Sequence, residues 1–348
     1  MRRFTIANKT LMQDSVPYVI AEIGTNHGGD PRTAFKMVES AIDCGVQAIK
    51  LQKRTNKKLF TKEFYNSPYN SEAALAPTYG EHREKLELPK GTWLDIRSVC
   101  DKAEVDFIAT AFDPWALDFI MDAGVDAIKI ASGDLLNTPL QALCAQTGLP
   151  TLISCGGGTF EDIDRAYIEW DGGYDRLCLL HCTAAYPCPP EDMNLKVIET
   201  MRDTYPNVLV GLSDHQNGIA LAMVGFVMGA RVFEKHFTLN RASKGTDHAF
   251  SLEPTGLRKM VRDLGRAHQS LGDGVKRPMD SEQKPLFKMG KKIVAAKPLS
   301  SGICLTREDM AFKSPNDGLP PYRADEIEGR YLTEPLQEDD NIEKGWSE

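Results

Sequence analysis

A chain of 348 residues is long for one ordinary domain and suits one large barrel with a small appendage. Its 42% hydrophobic and 26% charged residues are those of a globular protein, and 49 acidic against 41 basic residues give a net charge of −8, which argues against nucleic-acid binding. No apolar run approaches the ~20 residues of a membrane helix, and MRRFTIANKT at the start lacks the apolar core of a signal peptide. No membrane partner is therefore expected, and the cytoplasm is the expected compartment.

Along the first three quarters, apolar β-branched runs recur. They are YVIAEIG (18–24), QAIKLQ (47–52), DFIATAF (106–112), DAIKIAS (126–132), TLISCG (151–156), LCLLHC (177–182), VLVGLSD (208–214) and RVFEKHF (231–237). Between them lie helical patterns such as DPRTAFKMVESAIDCG and DPWALDFIMDAG, each with an Asp-Pro start and a glycine stop. Eight such strand–helix units predict a parallel sheet covered by helices, and eight is the number that closes a TIM (β/α)8 barrel. A doubly wound open sheet is disfavoured, because no G-x-G-x-x-G turn follows the first run.

One connection is much longer than the rest. Residues 53–88 hold TNKKLFTKEFYNSPYNSEAALAPTYGEHREKLEL, and a loop of that length reads as a lid. Its basic residues Lys53, Arg54, Lys57, Lys58 and Lys62 read as a solvated face. The eight cysteines include no C-x-x-C pair and read as buried reduced thiols rather than a zinc site. After a barrel domain at 1–272, residues 273–290 read as a linker. Residues 291–348 read as a small β-rich domain, too small to be stable without something to pack on.

Active sites of such barrels lie at the carboxyl ends of the strands, and the polar residues of this sequence collect there. In chain order they are Glu22, Asn26 and His27; Lys50 and Gln52; Thr110; Lys129, Ser132 and Asp134; Ser154; His181 and Thr183; Ser213, Asp214 and His215; and Glu234, Lys235 and His236. The last strand is thus expected to point its charges into a shared pocket. Lys50 or Lys129 alone could equally be a structural ion-pair partner. Together with Ser132, Ser154 and Ser213 they form a donor set suited to phosphate and carboxylate. His215 and His236 end adjacent strands and could share a divalent metal, although paired histidines are more often structural.

The segments AEIGTNHGGD (21–30), IKLQK (49–53), TYGEHR (78–83), KIASGD (129–134), HCTAAYP (181–187), GLSDHQ (211–216) and EKHFTLNRASKGTDH (234–248) resemble the sialic acid synthase family, whose enzymes make nonulosonic acids from phosphoenolpyruvate. The resemblance spans nearly the whole chain, its tail being similar to the family's C-terminal antifreeze-like (SAF) domain. It implies that His215 and His236 bind Mn2+, with Mg2+ or Co2+ as alternatives. It implies that Lys50, Thr110, Lys129, Ser132, Ser154 and Ser213 hold phosphoenolpyruvate. Glu22, Gln52, Asp134, Tyr186 and Asp247 would line the sugar side, with Glu22 handling a proton and Glu234 assisting near the metal. It also implies a homodimer in which the C-terminal domain of one chain caps the other's barrel.

Three positions depart from the family pattern. Ser314 stands where many bacterial members carry an arginine toward the sugar's N-acyl group, the family's S-T-G-M after the fifth strand reads Ser154-Cys155-Gly156-Gly157, a more open corner, and Ala184 lies where some members have asparagine. They leave open which sugar aldehyde is the acceptor: N-acetylmannosamine, a non-acetylated or diamino sugar, or a 6-phosphate. A 3-deoxy-aldulosonate synthase or a metal-dependent aldolase is the alternative enzyme, and a partner-binding scaffold the alternative outside catalysis.

Overall fold

The computed structural model describes residues 2–342 and the backbone of 346–347; Met1, 343–345 and Glu348, which belong to the expected terminal spans, lie outside the described residues. The chain divides into two compact units, the first reaching Leu271 and the second starting at Gly272. No helix among the described residues is long and apolar enough to cross a membrane.

The first unit begins with an antiparallel hairpin, β1 (Arg3–Ile6) and β2 (Lys9–Met12). Eight parallel strands follow: β3 (Tyr18–Gly24), β4 (Ala48–Lys53), β5 (Asp106–Ala111), β6 (Ala127–Ile130), β7 (Thr151–Ser154), β8 (Leu177–Cys182), β9 (Leu209–Asp214) and β10 (Val232–His236). They pair in chain order, and β10 returns to β3, with Val232 beside Tyr18 and His236 beside Glu22, to close the barrel. This is the expected TIM barrel, and each strand lies within the run that predicts it, except that β4 continues one residue further, to Lys53. The helices between strands start as their sequences suggest. Asp30 caps Pro31–Ile42 by accepting from the Arg32 N–H, and Asp113 caps Pro114–Asp122 by accepting from the Ala116 N–H.

Alternation along each strand sorts the side chains between two cores. Outward positions such as Ile49, Phe107, Ile128, Ile153, Val210 and Phe233 pack on the helices. Inward positions at the amino ends, including Tyr18, Ile20, Ala48, Ile108, Leu152, Leu180 and Val232, fill the barrel interior with Phe4, Ile6 and Leu11 of the hairpin. The hairpin therefore plugs the bottom of the barrel. No long apolar run marks it in the sequence, because each of its strands has only four residues.

The second unit has its own core of Ile293, Ala295, Leu299, Leu305, Ile327, Leu332 and Ile342. It is built on β11 (Lys292–Ala295) antiparallel to β12 (Met310–Lys313), and β13 (Tyr331–Leu332) antiparallel to β14 (Trp346–Ser347). Within the stretch read as a linker, Gln283–Met289 is helical. Cys304 is exposed, in contrast to the other seven thiols, which are buried.

Candidate active site

At the carboxyl ends of the strands the inward series turns from apolar to polar. Tyr18-Ile20 is followed by Glu22, Ala48 by Lys50 and Gln52, Ile108 by Thr110, Ala127 by Lys129, Leu152 by Ser154, Gly211 by Ser213, and Val232 by Glu234 and His236. These side chains line one cavity of about 1030 Å³. Ser132, Tyr186, His215 and Asp247 complete its expected lining.

Deep in this cavity the cations are already organised. Lys50 is buried, with Nζ 2.8 Å from Glu22 Oε2 and 3.4 Å from Glu234 Oε1, and it donates to Thr110 Oγ1 at 2.9 Å. Burial alone would lower its pKa, but the two carboxylates outweigh burial and raise it. Gln52 Nε2 donates to the other oxygen of Glu22 at 2.5 Å, so this carboxylate is held from both sides. Lys129 donates to Ser154 Oγ at 2.7 Å and to the Ile130 carbonyl at 2.8 Å. Burial pushes the Lys129 pKa down. Glu234, although burial opposes its ionisation, is lowered to about 2 by Lys50 and Lys129. Glu234 is therefore a fixed negative charge at neutral pH, and a general-acid role does not suit it. At the β7 corner the Gly156 N–H donates to Ser132 Oγ at 3.1 Å, and a side chain at 156 would sit 2.7 Å from that oxygen, so a glycine is required there. Gly157 next to it has φ +74 and open space, and Ala184 lines the cavity.

The imidazoles of His215 and His236 lie 5.4 Å apart, centre to centre, with Tyr186 4.3 Å from His215 and Phe250 5.0 Å from His236. Burial and the neighbouring His236 lower His215 to about 3, which keeps it neutral. Its Nδ1 lies 3.1 Å from the Thr183 carbonyl, so Nδ1–H donates there and Nε2 is left for another partner. His236 Nδ1 and Glu234 Oε2 are buried with no hydrogen-bond partner. The nearest acidic oxygen to His236 Nδ1, Asp247 Oδ2, is 3.8 Å away, beyond hydrogen-bonding reach. The free Nε2 of His215 and the partnerless Nδ1 of His236 fit a divalent ion that leaves coordination positions open. Among the described residues no cluster of three or more His, Cys, Asp or Glu side chains could hold a metal.

Several sequence expectations need correction. Lys235 does not point into the pocket: it occupies an outward position and bonds Asp214 Oδ2 at 2.7 Å behind the strands. Period-two alternation puts Glu234 and His236 on one face and Lys235 on the other. By the same alternation Asp214 and His181 face the helices, His181 Nε2 lying 2.7 Å from the Met193 carbonyl. Asn26 donates to the Phe237 carbonyl and to Ser251, and Thr183 to the Asp192 carbonyl, so both hold loops together. Asp134 does not line the cavity; its carboxylate accepts from Asn137 Nδ2 at 3.0 Å and fixes the turn after Ser132. Ser314 is in the second unit, where it accepts from Lys291 Nζ at 2.6 Å.

The long loop is folded rather than irregular, with helices Asn56–Leu59, Lys62–Tyr65 and Tyr79–Lys85. It brings Ser71, Glu72, Ala73 and Arg83 to the cavity. Arg54 is the clearest miss of sequence reasoning. It lines the cavity with Arg83 instead of facing solvent, its guanidinium 3.7 Å from the Phe112 ring centre and donating to Gln52 Oε1 at 2.8 Å. The available signal was its place two residues beyond Gln52, a strand-end residue already assigned to the pocket.

Residues 37–276 match the model of the NeuB family and 292–344 that of the SAF domain. The chain belongs to the NeuB family. It is 33% identical over 326 residues to the N-acetylneuraminate-9-phosphate synthase of Mus musculus, covering 93% of this chain and 91% of that one. To the N,N'-diacetyllegionaminic acid synthase of Campylobacter jejuni it is 32% identical, covering 93% and 98%. The crystal structure of the N-acetylneuraminic acid (sialic acid) synthetase from Leptospira borgpetersenii superposes with a TM-score of 0.71 at 31% identity, covering 82% of this chain and 95% of that one. The second unit is thus the SAF domain of a NeuB-family chain.

Proposed function

We propose that this NeuB-family chain is a nonulosonic acid synthase, condensing phosphoenolpyruvate with an open-chain sugar aldehyde. The family and the names of its relatives support a synthase. The observation that carries the reading is one cavity holding the Lys129–Ser154 and Lys50–Thr110 pairs beside two histidines with unused ring nitrogens. The lysines and the Ser132, Ser154 and Ser213 hydroxyls are the donors for the phosphate and carboxylate of phosphoenolpyruvate. Mn2+ or a similar divalent ion would be held by His215 and His236, and when bound it supplies Lewis-acid polarisation of the aldehyde oxygen.

In the reaction, C3 of phosphoenolpyruvate bonds to the aldehyde carbon, and the aldehyde oxygen takes up a proton. Water adds at C2, its proton is removed, and the C2–O bond to phosphate breaks, leaving a 2-keto acid and inorganic phosphate. The protein's first task is positioning, and the fixed Lys129–Ser154 bond is suited to it. Glu22, held by Lys50 and Gln52, is assigned to the water's proton and to the cation at C2, and the permanent charge of Glu234 adds to the same stabilisation. Gln52, Tyr186 and Asp247 line the sugar side. Asp134 acts through the turn that carries Ser132.

The chain is further taken to work in the cytoplasm as a homodimer whose SAF domain caps the partner's barrel, a reading supported by the family resemblance. The test of the activity is phosphate release from phosphoenolpyruvate by Mn2+-loaded protein across a panel of sugar aldehydes. Release that needs an acceptor and stops with EDTA is expected. Release with none of the acceptors would remove the synthase reading.

A further inference from the structure

The cavity holds two cationic groups of different character. The deep pair is partly engaged: Lys50 has two carboxylates within ion-pair distance, and Lys129 spends two of its three donors on Ser154 and a carbonyl, leaving one for a ligand. The second pair is Arg54 and Arg83. Both line the same cavity, and both are half-buried. Among the described residues, neither guanidinium has a carboxylate within ion-pair distance. Glu84, next to Arg83 in the chain, is exposed, and Glu87 is bound to Lys53 at 2.5 Å. Asp247 accepts from Thr246 at 2.8 Å and faces His236. Glu72, at the cavity mouth, is exposed, as is Lys244.

The two guanidiniums are also held in place. Arg54 is fixed by the Phe112 ring and Gln52 Oε1, and Arg83 donates through Nε to the Tyr79 hydroxyl at 3.1 Å. Each therefore keeps N–H donors free while its position is set by groups that carry no charge. Burial, and then the neighbouring Arg83, lower Arg54 to about 10, the mark of two like charges sharing one partly desolvated place. Glu87 and Asp247 offset this repulsion only from beyond ion-pair distance of the guanidiniums, and a dianion accepted by both forks offsets it directly.

Phosphoenolpyruvate brings its own phosphate and carboxylate, for which the deep lysines and serines are the donors. An anion at the arginine pair then belongs to the second substrate. An open-chain six-carbon sugar with its aldehyde at the reaction centre carries C6 at its far end. We infer that Arg54 and Arg83 form a phosphate subsite for the acceptor, and that the acceptor is a sugar aldehyde phosphorylated at the end remote from its carbonyl. This rests on the synthase reading and adds the class of acceptor that the family alone leaves open.

The experiment compares N-acetylmannosamine and mannose with their 6-phosphates, following phosphoenolpyruvate consumption by the wild type, Arg54→Met and Arg83→Met. Circular dichroism checks that the variants fold. The wild type is expected to prefer a phosphorylated acceptor by roughly a hundredfold in kcat/KM, and each variant to raise the sugar phosphate's KM by roughly ten- to a hundredfold. Equal or better use of the neutral sugar overturns the subsite and leaves the synthase standing. A KM rise that falls on phosphoenolpyruvate also overturns it, by giving the guanidiniums to that substrate's carboxylate. If no sugar supports turnover, the synthase reading fails and calorimetry decides the subsite. Binding of a 6-phosphate but not its neutral sugar, lost in both variants, sustains it; no binding of either 6-phosphate overturns it.

Discussion

The two ends of the barrel are made from the same eight strands and have opposite chemistry. At the amino ends the interior is closed by Phe4, Ile6 and Leu11. The one buried carboxylate there among the described residues, Asp106, has its charge met by the Tyr18 hydroxyl at 2.5 Å and Lys9 Nζ at 2.9 Å. At the carboxyl ends the same inward positions carry acids, lysines and histidines, and several keep unused bonding capacity: His236 Nδ1, Glu234 Oε2 and the Arg54–Arg83 pair. Burial does not separate the two ends, since both hold buried charge. What separates their interior charges is satisfaction, although Arg2 Nε and Gln13 Oε1 beside the plug are also without partners. Polar groups that find every partner within the fold act as structure, while groups kept short of partners have a place for something from outside.

The sharpest way to break this contrast is to damage the closed end and ask whether the open end notices. Phe4→Ala removes a fully buried ring from the plug and is expected to cost about 3–5 kcal/mol of stability. Denaturant unfolding measures the loss, and at temperatures where the variant stays folded kcat should match the wild type. A variant of normal stability with little activity would show that the ends are not independent.

The converse test is at the histidines. His215→Ala or His236→Ala is expected to reduce turnover by on the order of 10²–10³, with bound divalent metal falling in parallel by elemental analysis. The unfolding midpoint should move much less than in Phe4→Ala. Full activity in either variant would remove the two-histidine metal centre.

A smaller and pH-dependent effect is expected at Asp106. Burial, reinforced by the Asp106 charge, pushes the Tyr18 phenol well above its ordinary 10.0. The folded state holds that proton more tightly than the unfolded chain, so the contribution is whole below pH 10 and lost as pH rises toward the folded pKa. Tyr18→Phe leaves Asp106 one donor short and should cost about 1–3 kcal/mol at neutral pH. The variant should also lose part of the wild type's decline above pH 10. An identical alkaline decline in both proteins would assign it to other groups.

Much of this contrast is legible in the sequence, and the reasons are particular. The eight strands announce themselves because a parallel strand covered on both faces must be apolar at consecutive positions. The deep site is legible because Glu22, Lys50, Lys129 and Glu234 all interrupt such runs near their carboxyl ends, where one charge could be a structural ion pair but four together mark a shared pocket. The side each residue faces is harder to read: Glu234, Lys235 and His236 are consecutive, and only their pairing register separates the pocket pair from the lysine behind it. Arg54 is harder still. In a loop with five lysines it looks like solvated charge, and its lack of a carboxylate within ion-pair distance is a property of space rather than of order along the chain. The hairpin plug is hidden for a third reason, since four-residue strands are too short for alternation to stand out.

Asp134 gives the finest test, because sequence and structure place it differently. Its spacing after Lys129 and Ser132 suggests a pocket residue, yet its carboxylate is spent on Asn137 within the turn. Asp134→Ala should therefore cost about 0.5–1.5 kcal/mol of stability. Its charge is felt at Arg54 and Lys129, and its bonded link to the site runs through the turn of Ser132, whose hydroxyl meets the Gly156 N–H on the wall proposed for phosphoenolpyruvate. A change of roughly threefold to tenfold in the KM for phosphoenolpyruvate, with the acceptor's KM and kcat near normal, is the expected pattern for a displaced positioning group. Asp134→Asn, which keeps an acceptor oxygen for Asn137, should restore most of it. A kcat loss on the order of 10³ that the asparagine does not restore would instead mean that the carboxylate reaches the reacting atoms, in a loop arrangement different from the one described.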